Sequence, residues 1–218
     1  MKKRSKKILA ICAHNDDNVF GAGGTLAKYA KEGHTVKTVI FTYGELSPPH
    51  LKKEVIRDMR LKESLKADKI LGAKGVLYFG LTEGKFKEEI DKRNIRSKLA
   101  SIIKKERPSK IFTHDFNDPH PDHKAVNTIV NELIREKKIK CPVYTFGVWN
   151  LTIFWKKTDR PRLIVDITKT FRTKIRAIKA HKSQKIVLMQ LLWSVYVKAL
   201  ISGWNNNFKY AEVFFRIN

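Results

Sequence analysis

Residues 7–24 read KILAICAHNDDNVFGAGG, and residues 110–123 read KIFTHDFNDPHPDH. In each, a short apolar run is followed by a cluster of His, Asp and Asn. An apolar run of that length, bounded by turn residues, predicts a buried strand. In an open α/β sheet, sites are assembled outside the carboxyl ends of strands. Two strand ends that both carry His and Asp therefore predict one centre drawn from the two halves of the chain.

Working outward, strands are predicted at 7–13, 35–42, 76–79, 110–113, 143–148 and 162–167. Helices are predicted at 22–32, 51–71, 87–106, 122–138, 169–181 and 184–202. The alternation of the two, with β-branched strands, predicts an α/β fold: a mainly parallel sheet wrapped on both faces. With 218 residues and no repeat, low-complexity tract or linker, residues 1–218 read as a single domain. The stretch 149–161, with Trp149, Phe154 and Trp155, is expected to form a flap over a site or an oligomer contact. Gly21, Gly23 and Gly24 are expected to allow a tight turn and a close helix–sheet approach. They do not form a phosphate loop: neither G-x-G-x-x-G nor G-x-x-x-x-G-K-[ST] is present, and His14, Asp16 and Asp17 occupy the turn.

The 42% hydrophobic and 10% aromatic fractions exclude a disordered chain. The net charge of +24 predicts solubility and attraction to polyanions, acidic substrates included, without identifying an activity. Lys and Arg are spread over every helix, so a solvated basic surface is the simpler reading than a nucleic-acid face. Cys12 and Cys141 are the only cysteines, which argues against a disulfide framework or a Cys-based metal site. The apolar run after MKKRSKK is too short for a signal segment, and a cytoplasmic location is expected. Residues 186–202, IVLMQLLWSVYVKALIS, are interrupted by Gln190 and Lys198. They barely reach spanning length and are expected to be a buried or interface helix.

A catalytic zinc commonly takes three N/O ligands and leaves a position open. His14 and Asp17 are close enough to chelate one ion from a single turn, and His123 is placed to supply the third ligand. Pro119 and Pro121 shape the second cluster. The residue before a proline avoids helical geometry, so His120 is expected to be extended. Pro121 suits the first position of a helix, which puts Asp122 and His123 in its first turn. Asp16, beside a ligand, can accept a proton from a water that the ion activates. Asp122 is expected to fix the tautomer of His120 by accepting its ring N–H.

These residues resemble a known family. Ala13-His-Asn-Asp-Asp-Asn18 is similar to the A-H-P-D-D-E motif of the LmbE-like, or PIG-L-like, N-acetylglucosaminyl deacetylases, and His120-Pro-Asp-His123 matches their second signature. Arg60-Leu-Lys-Glu63 with Ala67 and Leu71-Gly72, Ala177 to Gln184, and Tyr210 to Phe214 extend the resemblance along most of the chain. It implies a Rossmann-like three-layer α/β/α fold and zinc-dependent removal of acetyl groups from N-acetylated amino sugars. It further implies His14, Asp17 and His123 as metal ligands, for Zn2+ or another divalent ion, and Asp16 as general base. His120 is implied as oxyanion stabiliser or acid, Asp122 as its orienter, and Arg60 as a substrate contact. Asn15 stands where the motif has proline, Asn18 where it has glutamate, and Glu83 where members often have aspartate. The alternatives are a basic nucleic-acid-binding protein and a metal-binding pseudoenzyme on the same fold. A homo-oligomer is compatible with either.

Overall fold

Strand β1 (Lys7–Cys12) is buried because its side chains alternate between two apolar layers. Ile8, Ala10 and Cys12 join one cluster, and Leu9 and Ile11, with Ala13 just beyond, join the other. The computed structural model describes residues 5–47, 50–150 and 159–218, so 151–158 of the expected flap lie outside the described residues. The remaining strands are β2 (Thr35–Thr42), β3 (Val76–Leu81), β4 (Lys110–His114), β5 (Val143–Phe146), β6 (Arg162–Asp166) and β7 (Ala211–Arg216). They form a sheet in the order β3-β2-β1-β4-β5-β7-β6. The first five are parallel, and β7 runs antiparallel between β5 and β6. The order reverses between β1 and β4, and a crevice opens at such a switch point beyond the carboxyl ends of the two strands.

The helices are α1 (Asp17–Lys31), α2 (Lys53–Leu71), α3 (Phe86–Lys92), α4 (Ile95–Glu106), α5 (Pro121–Arg135), α6 (Phe171–Ile178) and α7 (Lys185–Trp204). Residues of α1, α2, α6 and α7 pack in the first apolar cluster, and residues of α3, α4 and α5 in the second. The result is the expected α/β/α sandwich of layers. Glu212 on β7 ties one layer to the sheet. Its carboxylate accepts the N–H groups of Gly24 (3.0 Å) and Thr25 (2.7 Å) and pairs with Lys174 Nζ at 2.6 Å.

Two helices differ from the sequence expectation. Helix α1 starts at Asp17, five residues early, so the glycines lie inside it and make no tight turn. Packing overrides their poor helix propensity: a Cβ on Gly21 would lie 2.1 Å from the Phe146 ring, and one on Gly24 2.7 Å from Ile167. The close helix–sheet approach is therefore present. The single helix expected over 87–106 is two, broken at Asn94, whose φ of 51° is left-handed. Helix α7 is buried on one side only. Lys182–Trp204 has the length and composition to cross a membrane, yet Leu191, Ser194, Val195, Ala199, Ser202 and Gly203 are packed into the fold.

Candidate metal centre

The loop after β1 turns directly into α1, with Asp16 as the capping residue and Asp17 in the first helical turn. There the Asp17 carboxylate accepts the His14 backbone N–H at 2.7 Å, which closes the turn and brings both side chains to one side. The loop after β4 ends in His120, whose backbone is extended (φ −68°, ψ 128°), and Pro121 opens α5. Both features follow the proline argument made from sequence. His123 thus reaches the β1 loop, 109 residues away along the chain.

His14, Asp17 and His123 are all buried, and their donor atoms converge. His14 Nδ1 lies 3.3 Å from His123 Nε2 and 3.4 Å from Asp17 Oδ2, and His123 Nε2 lies 3.2 Å from Asp17 Oδ1. A tetrahedral zinc with bonds of 2.0–2.1 Å requires donor–donor separations of about 3.3–3.4 Å. The donor set and its spacing fit a divalent ion of that size.

Charge supports the same fit. Burial alone would push the His14 ring down, but Asp17, Asp122 and Glu83 carry it up to about 10. Burial is likewise outweighed at His123, where Asp17 and Asp118 raise the ring to about 9. Asp17 is held well below the usual carboxylate range: burial would raise it, and His123, His114 and His14 overcome that. Buried carboxylates that raise the neighbouring imidazoles in this way offer the same field to a dication.

Two residues around this triad carry no role in the sequence reading. Asp118 is fully buried; its Oδ1 lies 2.9 Å from His123 Nδ1, and its Oδ2 accepts the N–H groups of Val148 (2.8 Å) and Trp149 (3.1 Å). It leaves His123 Nε2 as the atom aimed at the centre. His114, the last residue of β4, stacks on the His123 ring with centroids 3.8 Å apart and reaches Asp17 Oδ2 at 3.2 Å. Burial and the neighbouring His123 push its ring down to about 4. Their signal was present in the second cluster, but a supporting layer has no spacing of its own to read.

The Asp122 expectation needs correction. Its carboxylate does not take the His120 ring N–H; Oδ2 lies 3.3 Å from His14 Nε2. The tautomer of His120 is fixed by main chain instead, because its Nδ1 accepts the Asp122 backbone N–H at 3.2 Å. The proton then sits on Nε2. Burial, with His14 and His123 nearby, lowers the His120 ring to about 4, so it is a neutral donor at neutral pH.

Arg60 is buried at 3% exposure and organises the first loop. Its Nε donates to Asn15 Oδ1 (2.9 Å), its Nη1 to Gly44 O (3.0 Å), and its Nη2 stands 3.5 Å from Asp16 Oδ1. Asn15 therefore replaces the motif proline with a hydrogen bond to Arg60. Asn18 turns away from the centre and donates to Thr38 Oγ1 (3.2 Å). Glu83 stands 3.8 Å from His14 Nε2. Ser183 donates its N–H and its hydroxyl to Glu63, each at 2.7 Å, so the Arg60–Glu63 and His181–Gln184 segments meet in space.

A cavity of about 160 Å³ opens beside the triad, lined by His14, Asp16, Asp17, Arg60, Glu83 and His120 on its polar side and by Phe20, Val148, Trp149 and Val187 on its apolar side. The arrangement can hold a cation, a water beside a carboxylate, and a polar group beside a neutral imidazole N–H. A larger groove of about 930 Å³, lined by Arg96, Lys104, Arg107 and Lys138 among others, lies at the opposite end of the sheet and contains none of these groups.

Residues 9–134 match the family model described as PIG-L: GlcNAc-PI de-N-acetylase. The chain is 28% identical to diacetylchitobiose deacetylase of Thermococcus kodakarensis, over 95% of this chain and 81% of that one. It is 26% identical to 4-oxalmesaconate hydratase of Pseudomonas putida, over 92% and 81%. Among solved structures, the N,N'-diacetylchitobiose deacetylase of Pyrococcus horikoshii superposes with a TM-score of 0.80 at 25% identity, covering 98% of this chain and 84% of that one.

Proposed function

Because the chain belongs to the PIG-L family, we propose that it is a zinc-dependent amide hydrolase that removes the acetyl group from an N-acetylglucosamine-containing small molecule or glycoconjugate. The observation that supports this most is the meeting of His14, Asp17 and His123 at 3.2–3.4 Å beside a cavity that also presents Asp16 and His120. A zinc ion held by these three supplies Lewis acidity and makes a nearby water more acidic.

The remaining steps belong to the side chains. Asp16, held by Arg60 Nη2, takes the proton of the attacking water. His120 presents its Nε2–H to the oxygen on which negative charge develops, and its low proton affinity suits it to that role better than to proton donation. The proton on Asp16 then passes to the departing nitrogen, and acetate and the free amine result. Arg60 contributes mainly by positioning Asp16, and it lines the cavity where a substrate hydroxyl would sit. The proposal includes a single domain over 1–218 and a cytoplasmic site of action, which the free Cys12 and Cys141 fit.

A panel of N-acetylated amino sugars, assayed for released amine with zinc and with a chelator, tests the reading. Zinc-dependent release from at least one member is expected. Stoichiometric zinc without release from any member would remove deacetylation of these sugars from the reading. The hydratase relative makes water addition to a carbon–carbon double bond the second activity to assay.

A further inference from the structure

Helix α7 carries an apolar stripe that neither the sheet nor the cavity uses. Ile186, Met189, Trp193, Leu200 and Trp204 are 68, 81, 55, 46 and 86% exposed, with Tyr196 beside them at 38%. Their spacing of three and four residues places them along one side of a helix about 30 Å long. Monomer surfaces rarely present so continuous an apolar strip without a partner. The other side of the helix is committed to the fold: a Cβ on Gly203 would sit 2.7 Å from the carbonyls of Phe208 and Lys209. The helix can therefore lie on a surface, while crossing one would require unpacking it.

Charge identifies the occupant. From residue 167 to residue 211 the chain has nine Lys and Arg and no Asp or Glu. Exposed Lys182 and Lys185 stand at one end of the stripe, and exposed Lys209 just beyond the other. A second copy of this chain would bring the same exposed Lys182, Lys185 and Lys209, and the same net charge of +24, to the contact. An anionic lipid surface accommodates both features. Aliphatic side chains enter the acyl boundary, Trp and Tyr sit at headgroup depth, and lysines meet the anionic headgroups.

We propose that α7 docks this protein in the plane of an anionic lipid bilayer through the Ile186–Trp204 stripe. Gln184 and Val187, at the amino end of the same helix, line the cavity, so docking places the cavity mouth near the lipid surface. The docking requires neither metal nor turnover, and its failure leaves the deacetylase reading untouched.

Co-sedimentation of the full chain with phosphatidylcholine vesicles, with and without phosphatidylglycerol, provides the test. The protein should pellet with the anionic vesicles, and its tryptophan emission should shift to the blue. The variant M189S/W193S/W204S should lower the partition coefficient by at least about tenfold while metal content is kept. K182E/K185E/K209E leaves the packed face of the helix intact; it should weaken binding and remove most of its salt dependence. Absence of vesicle binding would overturn the proposal, as would binding that both variants retain in full. A dimer in sedimentation equilibrium that the triple serine variant dissociates would overturn it too, because a second copy would then cover the stripe.

Discussion

Asp118→Asn is expected to weaken zinc binding by about 100-fold, although Asp118 is not among the proposed ligands. The carboxylate stands between His123 Nδ1 on one side and the N–H groups of Val148 and Trp149 on the other. An amide has one oxygen for these two tasks. With the oxygen toward the main chain, the NH₂ group donates to His123 Nδ1 and moves the ring proton to Nε2, the atom that faces His14 and Asp17. With the oxygen toward His123, two buried N–H groups lose their acceptor, at roughly 1–3 kcal/mol each. The second orientation costs about 2–6 kcal/mol by that measure, the first turns an N–H toward the ion, and partners behind a ligating histidine typically contribute 10–100-fold in affinity.

Proton competition sets the pH of the measurement. Asp118 helps to hold the His123 ring at about 9, so at pH 7 zinc must displace a proton that Asp118 itself retains. Removing the carboxylate relieves part of that competition. The loss should therefore be smaller at pH 7 than near pH 9, where the proton is already half gone. Competition with a chromophoric chelator at both pH values measures the dissociation constants, and far-UV circular dichroism checks the fold. A folded Asp118→Asn protein that binds zinc within threefold of wild type at pH 9 would refute the reasoning and remove His123 from the proposed ligand set.

Asp16→Asn should keep its zinc and lose about 10²–10⁴-fold in kcat, because an amide cannot accept the water proton; metal analysis beside amine release separates the two effects. Asp68, on the buried side of α2, is raised by burial from 3.8 to about 6, against the lowering hydrogen bond from Gly75. Its folded value lies above its unfolded one, so native protein binds more protons between these values and stability falls as pH rises through that window. Asp68→Asn should therefore be more stable than wild type by up to about 3 kcal/mol at pH 7.5 and equal to it near pH 3.5, in urea unfolding followed at both pH values. Lys174→Met should destabilise by about 3 kcal/mol, because it leaves Glu212 buried without its cation. The double variant Lys174→Met/Glu212→Gln should recover much of that loss in the same assay, and a fully additive result would show that the pair is not coupled.

The fold and the triad were legible from the sequence for one reason: residues 7–18 and 110–123 each state a strand and its chemistry together. The parallel order then brings β1 and β4 side by side at the point where the sheet reverses. What stayed hidden depends on partners that are remote in sequence. Gly21 and Gly24 argue locally against a helix, and only Phe146 and Ile167, more than a hundred residues on, make them necessary inside one. The break at Asn94 had a local sign, since Ile90 and Ile95 are five apart whereas Ile95, Leu99 and Ile103 keep the helical step of four. Asp118 and His114 were in plain view within the second cluster, yet nothing in spacing separates a side chain that touches an ion from one that aims its neighbour. That difference is set by which ring nitrogen faces which carboxylate, a property of the assembled crevice. The same holds for the Asp122 carboxylate, which reads as a partner for the adjacent His120. Its approach to His14 exists only because α5 begins at Pro121 and turns that carboxylate back toward β1.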